Sequence, residues 1–139
     1  MAEIWSGEWA ARDSSGAPGI EPLSLGAGLE TSHGDGCVVA AITGAVDLAS
    51  VTALRDRLQA QVSGGTRHLV LDLSRVTFLD SVGLSMLIGL RRSLAARSGT
   101  LHLAACAAPV LDLLVVTGLT GAFTVHDTVA EAVDASAGA

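Results

Sequence analysis

The chain has 139 residues, which suits one domain with its own core and is short for two. Half of the residues are apolar and only 3% are aromatic, so the core must be aliphatic and the surface offers little for stacking bases or sugars. The net charge is −6 and all 8 basic residues are arginine. A chain of that balance lacks the basic face that a nucleic acid backbone demands, so nucleic acid is excluded as the main partner.

In chain order, residues 1–24 are rich in Gly, Ser, Ala and Pro without periodicity and read as a flexible N-terminal tail. Trp5 and Trp9, four apart in that tail, suit a short docking helix. The opening lacks a basic stretch followed by an apolar one, and no apolar run reaches membrane length; the expectation is a soluble cytoplasmic chain with no membrane partner. Leu25 to Thr31 alternates weakly, as an edge strand does, and residues 32–36 form a turn by composition. Cys37 to Thr43 reads as a buried strand. Val51, Leu54, Leu58 and Val62 then recur at helical spacing, and Gly64-Gly65 ends that helix.

His68 to Leu73 is almost continuously apolar, the pattern of a central strand covered on both faces. A second helix follows Asp80-Ser81. Its stripe is Leu84, Leu87, Ile88, Leu94 and Ala95, and Arg91, Arg92 and Arg97 suit the negative end of its dipole. Leu101 to Ala105 reads as a strand, Pro109 to Thr117 as a helix and Phe123 to Val125 as a short strand. Asp127 or Thr128 caps a last helix through Val133. Alternating strands and helices imply an α/β fold with one domain over residues 25–135 and a disordered end at 136–139.

Enzyme signatures are absent. No nucleophile elbow, phosphate loop or dinucleotide fingerprint occurs. Cys37 and Cys106 read as small apolar residues in strands, and His33, His68, His102 and His126 as solvent-facing or strand-edge side chains without metal-ligand spacing. Asp47, Asp72 and Asp80 fall near strand ends, where turn and helix capping accounts for them better than a magnesium site. The reading is a protein that is no enzyme, with no cofactor and no metal.

The stretch that carries chemistry is Val70-Leu71-Asp72-Leu73-Ser74-Arg75-Val76-Thr77-Phe78-Leu79-Asp80-Ser81-Val82-Gly83-Leu84: a strand, a short loop and a helix start. Ser81 falls at or next to the N-cap, where a hydroxyl can accept from backbone N–H groups. A phosphate on Ser81 would place about two negative charges at the positive end of a helix, with amides there to receive it.

This segment resembles the signature of the STAS domains of bacterial anti-sigma factor antagonists, a V-L-D-L-S strand followed by an F-x-D-S-x-G-L loop. Gly44-Ala45-Val46-Asp47, Pro109, Thr117-Gly118-Leu119 and Phe123 resemble further family positions in the same order, so the likeness spans about residues 25–135. The resemblance implies a mixed sheet of four to five strands with about four helices. It implies partner switching in transcription regulation. The unmodified antagonist captures an anti-sigma factor that is also a serine kinase; that kinase phosphorylates the position matching Ser81 and is released; a serine phosphatase resets the system. Asp47, Asp80, Val82, Gly83 and Leu84 match positions around the phosphorylation loop and are assigned to partner binding.

The sequence departs from the family in having Val82 where a second hydroxyl is common, and Ala45 where an acidic residue is common. Ser81 is thereby the sole hydroxyl of the loop. The apolar run from Val110 to Val116, with Leu111 and Val115 one turn apart, suggests either an exposed patch for a homodimer or for docking, or deeper burial under the N-terminal tail. The alternative reading is a STAS module that does not switch, serving as a scaffold or regulatory subunit of a stress-signalling or lipid-transport assembly.

Overall fold

The computed structural model describes residues 21–24, 27–34 and 37–137. Trp5 and Trp9 lie outside the described residues. Six strands form one mixed sheet in chain order: β1 (Glu21–Ser24), β2 (Ala27–Gly34), β3 (Cys37–Val46), β4 (His68–Leu79), β5 (Thr100–Ala104) and β6 (Thr124–His126). β1, β2 and β3 pair antiparallel, whereas β3, β4, β5 and β6 pair parallel. Four helices occur among the described residues: α1 (Val51–Ser63), α2 (Ser81–Ala95), α3 (Ala108–Val116) and α4 (Val129–Ala137).

Each parallel connection carries a helix, and the two faces of the sheet are covered unequally. Ala40, Ile42, Leu69, Leu71, Leu101 and Leu103 meet Leu54 and Leu58 of α1, Leu87 and Leu90 of α2, and Leu114 of α3. The opposite face presents Cys37, Val39, Val70 and Ala104 to Ala132 and Val133 of α4. Cover on both sides is why β3 and β4 read as nearly unbroken apolar runs. In α2 the expected stripe holds at Leu84, Leu87 and Leu94; Met86 and Leu90 join it, while Ala95 is exposed.

Several expected boundaries move, each for a physical reason. β1 forms inside the stretch that composition assigned to the tail, by pairing with β2 from Glu21↔Leu29 to Ser24↔Ala27. Ser32 and His33 belong to β2 rather than to a turn, because they pair with Val39 and Val38. α4 continues through Ala137, past the expected disordered end, since Ser136 is buried and its hydroxyl donates to the Val133 carbonyl (2.8 Å). Thr128 caps this helix by accepting from the Glu131 N–H (3.1 Å). Arg97 lies beyond the last turn of α2; its guanidinium donates to the Val62 carbonyl at the end of α1 (2.9 Å) and ties the two helix ends together. Cys106 sits after β5, not in a strand, and burial followed by the charge of Asp72 pushes its thiol up to about 11.

β4 is the element that positions the site. Its pairing with β3 slips between Ala41 and Thr43 and again between Gly44 and Ala45, so β4 carries two extra residues. At the first slip Asp72 accepts from the Ser74 N–H (3.0 Å). Extra residues bend a strand and raise its twist. Beyond Leu73 the buried residues are therefore Val76 and Leu79, three apart rather than two, and both Thr77 and Phe78 turn outward.

Candidate partner-docking site at the ends of β3 and β4

β3 and β4 end side by side through the pairs Ala45↔Phe78 and Val46↔Leu79. The loop after β3 and the start of α2 are thereby neighbours at the carboxyl ends of two parallel strands, where open α/β sheets place their functional loops.

The loop after β3 is held by its own polar groups. Asp47 Oδ1 accepts from the Ala49 N–H (3.0 Å) and the Ser50 N–H (3.2 Å), an Asx turn. Ser50 is buried; its hydroxyl donates to the Ala45 carbonyl (2.8 Å) and accepts from the Asp47 N–H (3.1 Å). This lock leaves Leu48 at the tip, 76% exposed. Asp47 therefore shapes the loop while Leu48 is its most prominent side chain.

At the start of α2 the capping residue is Asp80. Its Oδ1 accepts from the Val82 N–H (3.0 Å) and the Gly83 N–H (3.3 Å). Ser81 is the first helical residue and is exposed. The expectation that Ser81 lies at or next to the cap resolves to next to it. The expectation that backbone amides stand ready for a phosphate does not hold for these two, because the Asp80 carboxylate already occupies them. A phosphate on Ser81 would instead project outward beside Asp80. Asp80→Ala should cost about 1 kcal/mol of stability and Ser81→Ala a few tenths at most; chemical denaturation of the two variants measures the difference.

Of the residues assigned to partner contact, Gly83 and Leu84 are buried. A Cβ on Gly83 would stand 2.5 Å from Leu79 Cδ1 and 2.9 Å from Val46 Cγ1. Glycine lets the first turn of α2 rest on the ends of β3 and β4. Val82 is half-buried and lines a shallow groove of about 160 Å³ between α1 and α2, with Val51, Arg55, Gln59, Ser85, Met86 and Gly89. Phe78, 47% exposed, stands on the strand side of Ser81.

The surface around Ser81 thus comprises two carboxylates, two exposed apolar side chains and a groove one turn along. The sequence reading missed Leu48, Ser50 and Phe78. The spacing Asp47-Leu48-Ala49-Ser50 before an apolar helix was a usable signal for the lock; nothing in the alternation of β4 announced its two bulges. Among the described residues, no group of three or more His, Cys, Asp or Glu side chains could hold a metal ion. Likewise, no described helix is long and apolar enough to cross a membrane.

With this geometry in place, the comparison with known proteins is decisive: the STAS domain family matches residues 29–132. The chain belongs to the STAS domain family. The Bordetella bronchiseptica protein BtrV, assigned as an anti-sigma factor antagonist, is 31% identical over 94 residues, covering 68% of this chain and 81% of BtrV. The crystal structure of an anti-sigma factor antagonist from Mycobacterium paratuberculosis superposes with a TM-score of 0.74 at 28% identity, over 84% of this chain and 97% of that one. The unphosphorylated form of the anti-sigma factor antagonist SpoIIAA shares the fold, with a TM-score of 0.70 at 24% identity over 80% of this chain and 97% of SpoIIAA. As a STAS domain, the chain has anti-sigma factor antagonists among its sequence relatives.

Proposed function

We propose that this STAS domain is an anti-sigma factor antagonist that binds an anti-sigma factor serine kinase and is released when that kinase phosphorylates Ser81. The observation that carries the reading is the placement of Ser81. It is the only hydroxyl of the loop, it is exposed at the first position of α2, and the adjacent Asp80 relieves it of the capping role. A kinase can reach its Oγ without unfolding the helix. Transfer of the γ-phosphoryl group from ATP would form the Oγ–P bond, leave ADP, and pass the hydroxyl proton to a base of the kinase.

The charge argument then gives the switch. The phosphate adds close to two negative charges next to Asp80, on the face where the Asp47 loop also stands. A partner surface that accepts a neutral hydroxyl would meet repulsion and bulk at once. The shape of the domain would survive, because the cap is held by Asp80. A Bacillus protein of this fold, SpoIIAA, has been solved in both unphosphorylated and phosphorylated forms, which supports a fold that tolerates the modification.

Incubation with serine kinases of the same cell and ATP, followed by mass spectrometry, tests the reading. Phosphate on Ser81 that disappears in Ser81→Ala is the expected result. Labelling elsewhere with none on Ser81 would favour the non-switching scaffold or regulatory module. Resetting by a serine phosphatase is part of the same proposal, and the reverse reaction can be followed on the labelled protein.

The outer face of α3 supports self-association. Leu111 and Val115 are 40% and 66% exposed, and Val116 beside them is also exposed. Leu111→Glu should convert a homodimer to monomer in size-exclusion light scattering. Identical monomer masses for both forms would remove the dimer.

A further inference from the structure

The chain is acidic as a whole, yet its α1–α2 layer is basic. α1 carries Arg55 and Arg57 against Asp56, and α2 carries Arg91 and Arg92 with no acidic residue. Four cations against one carboxylate leave this layer positive. Residues 1–20 have the opposite balance, with Glu3, Glu8 and Asp13 against Arg12. They also hold both tryptophans of the chain, Trp5 and Trp9, which the proposed function leaves without a role.

The groove between α1 and α2 is shaped for such a segment. It is lined by Val51, Val82, Met86 and Gly89, and it starts at Val82, next to Ser81. A Cβ on Gly89 would meet no atom within 4 Å, so the groove is open there. Its volume of about 160 Å³ suits one aromatic side chain, since a cavity of roughly 150 Å³ accepts a benzene ring. Arg55 also lines it, half-exposed, with only a loose 3.9 Å contact to Asp56. A guanidinium so placed favours an aromatic face and a carboxylate alike. Arg92 follows Gly89 by three positions, on the same side of α2.

The chain enters the fold beside this groove. β1 begins at Glu21 and lies against α1, which forms one wall of the groove. Trp9 precedes Glu21 by 12 residues and Trp5 by 16. A coil of that length spans about 20 Å, whereas a helix is only about 10 Å across. A tether this short gives an effective concentration in the millimolar range, so even a weak contact is populated. The apolar face of α3 is the competing site. It packs against β4, on the far side of β3 and β2 from β1, and its one charged residue is Asp112, which repels an acidic segment.

We propose that residues 1–20 are an internal ligand of the α1–α2 groove: one indole fills it, Glu3 and Glu8 face Arg55 and Arg92, and the segment covers the approach to Ser81. The docking stands by itself. Its consequence, competition with a partner for the Ser81 face, rests on the function proposed above.

Intrinsic fluorescence of the full chain reports the docking without background, because both tryptophans lie in this segment and the chain has no tyrosine. Trp5→Phe and Trp9→Phe read the two indoles one at a time. At least one should be blue-shifted and shielded from acrylamide relative to the urea-unfolded chain, at any protein concentration. Gly89→Met fills the groove and puts a better helix former in place of glycine, so the fold is kept. It should lower the ratio of docked to free segment by about tenfold or more and return the indole to water. Indoles as exposed in the native chain as in urea would overturn the docking, as would shielding that Gly89→Met leaves intact. Shielding lost in Leu111→Glu instead would place the segment on α3. Shielding that grows with protein concentration would give the groove to the segment of a second copy. The regulatory consequence has its own readout: a kinase that labels Ser81 should label the Trp5→Ser, Trp9→Ser double variant faster. Equal rates would remove the cover and leave the docking, which the fluorescence decides whether or not Ser81 is labelled.

Discussion

Ser81→Asp should lower affinity for the proposed partner kinase by on the order of a hundredfold, about 3 kcal/mol, while leaving the thermal midpoint almost unchanged. The two halves of this expectation come from different atoms. The binding loss comes from adding a fixed charge beside Asp80 on an exposed face, where a partner shaped for a hydroxyl pays the full cost of like-charge contact. The unchanged stability comes from Asp80, which holds the Val82 and Gly83 amides in either form. An acidic residue at the first helical position is, if anything, favoured by the helix dipole by some tenths of a kcal/mol. Titration calorimetry against the kinase and a thermal melt measure both. Equal affinities for the wild type and Ser81→Asp would remove Ser81 from the interface; a large drop in midpoint would show that residue 81 carries structural weight that the cap geometry does not give it.

Gly99→Ala should cost about 3 kcal/mol and lower the midpoint by roughly 10 °C. A methyl there would sit inside the contact shell of the Arg67 carbonyl. That carbonyl cannot step aside freely, because it accepts from the Thr100 N–H (2.8 Å) where β5 begins beside β4. The Gly99 N–H is itself bound to the Leu94 carbonyl (2.7 Å), closing the end of α2. One added carbon would therefore disturb a helix end and the opening of two central strands together. Urea denaturation gives the value; a loss within a few tenths of a kcal/mol would mean that the Arg67 backbone shifts at little cost. Gly121, with open space where a Cβ would stand, is the internal control.

The site was legible where chemistry is local in the chain. Asp80-Ser81 before an apolar helical stripe marks a helix start from sequence alone, and Ser81 is exposed there as required. Which of the two residues caps was not legible, since Asp and Ser are near-equal caps and only the backbone angles of Asp80 select it. The burial of Leu84 was not legible for a related reason: motif membership names a position but not the direction of its side chain, and α2 turns Leu84 into the core. The exposure of Phe78 depends on two bulges in β4, which alter the two-residue rhythm that strand reading assumes.

By itself, the sequence determined the α/β class, the helices, the central strand and the serine at the head of α2. These follow from periodicity, caps and turn residues, all of which act over a few neighbouring positions. Tertiary structure alone decided the rest. Parallel pairing set the Asp47 loop beside Ser81, two residues 34 positions apart in the chain. The same pairing drew His68, His102 and His126 into one hydrogen-bonded chain through Thr100, because adjacent strands stand only about 5 Å apart and align side chains that no local spacing relates.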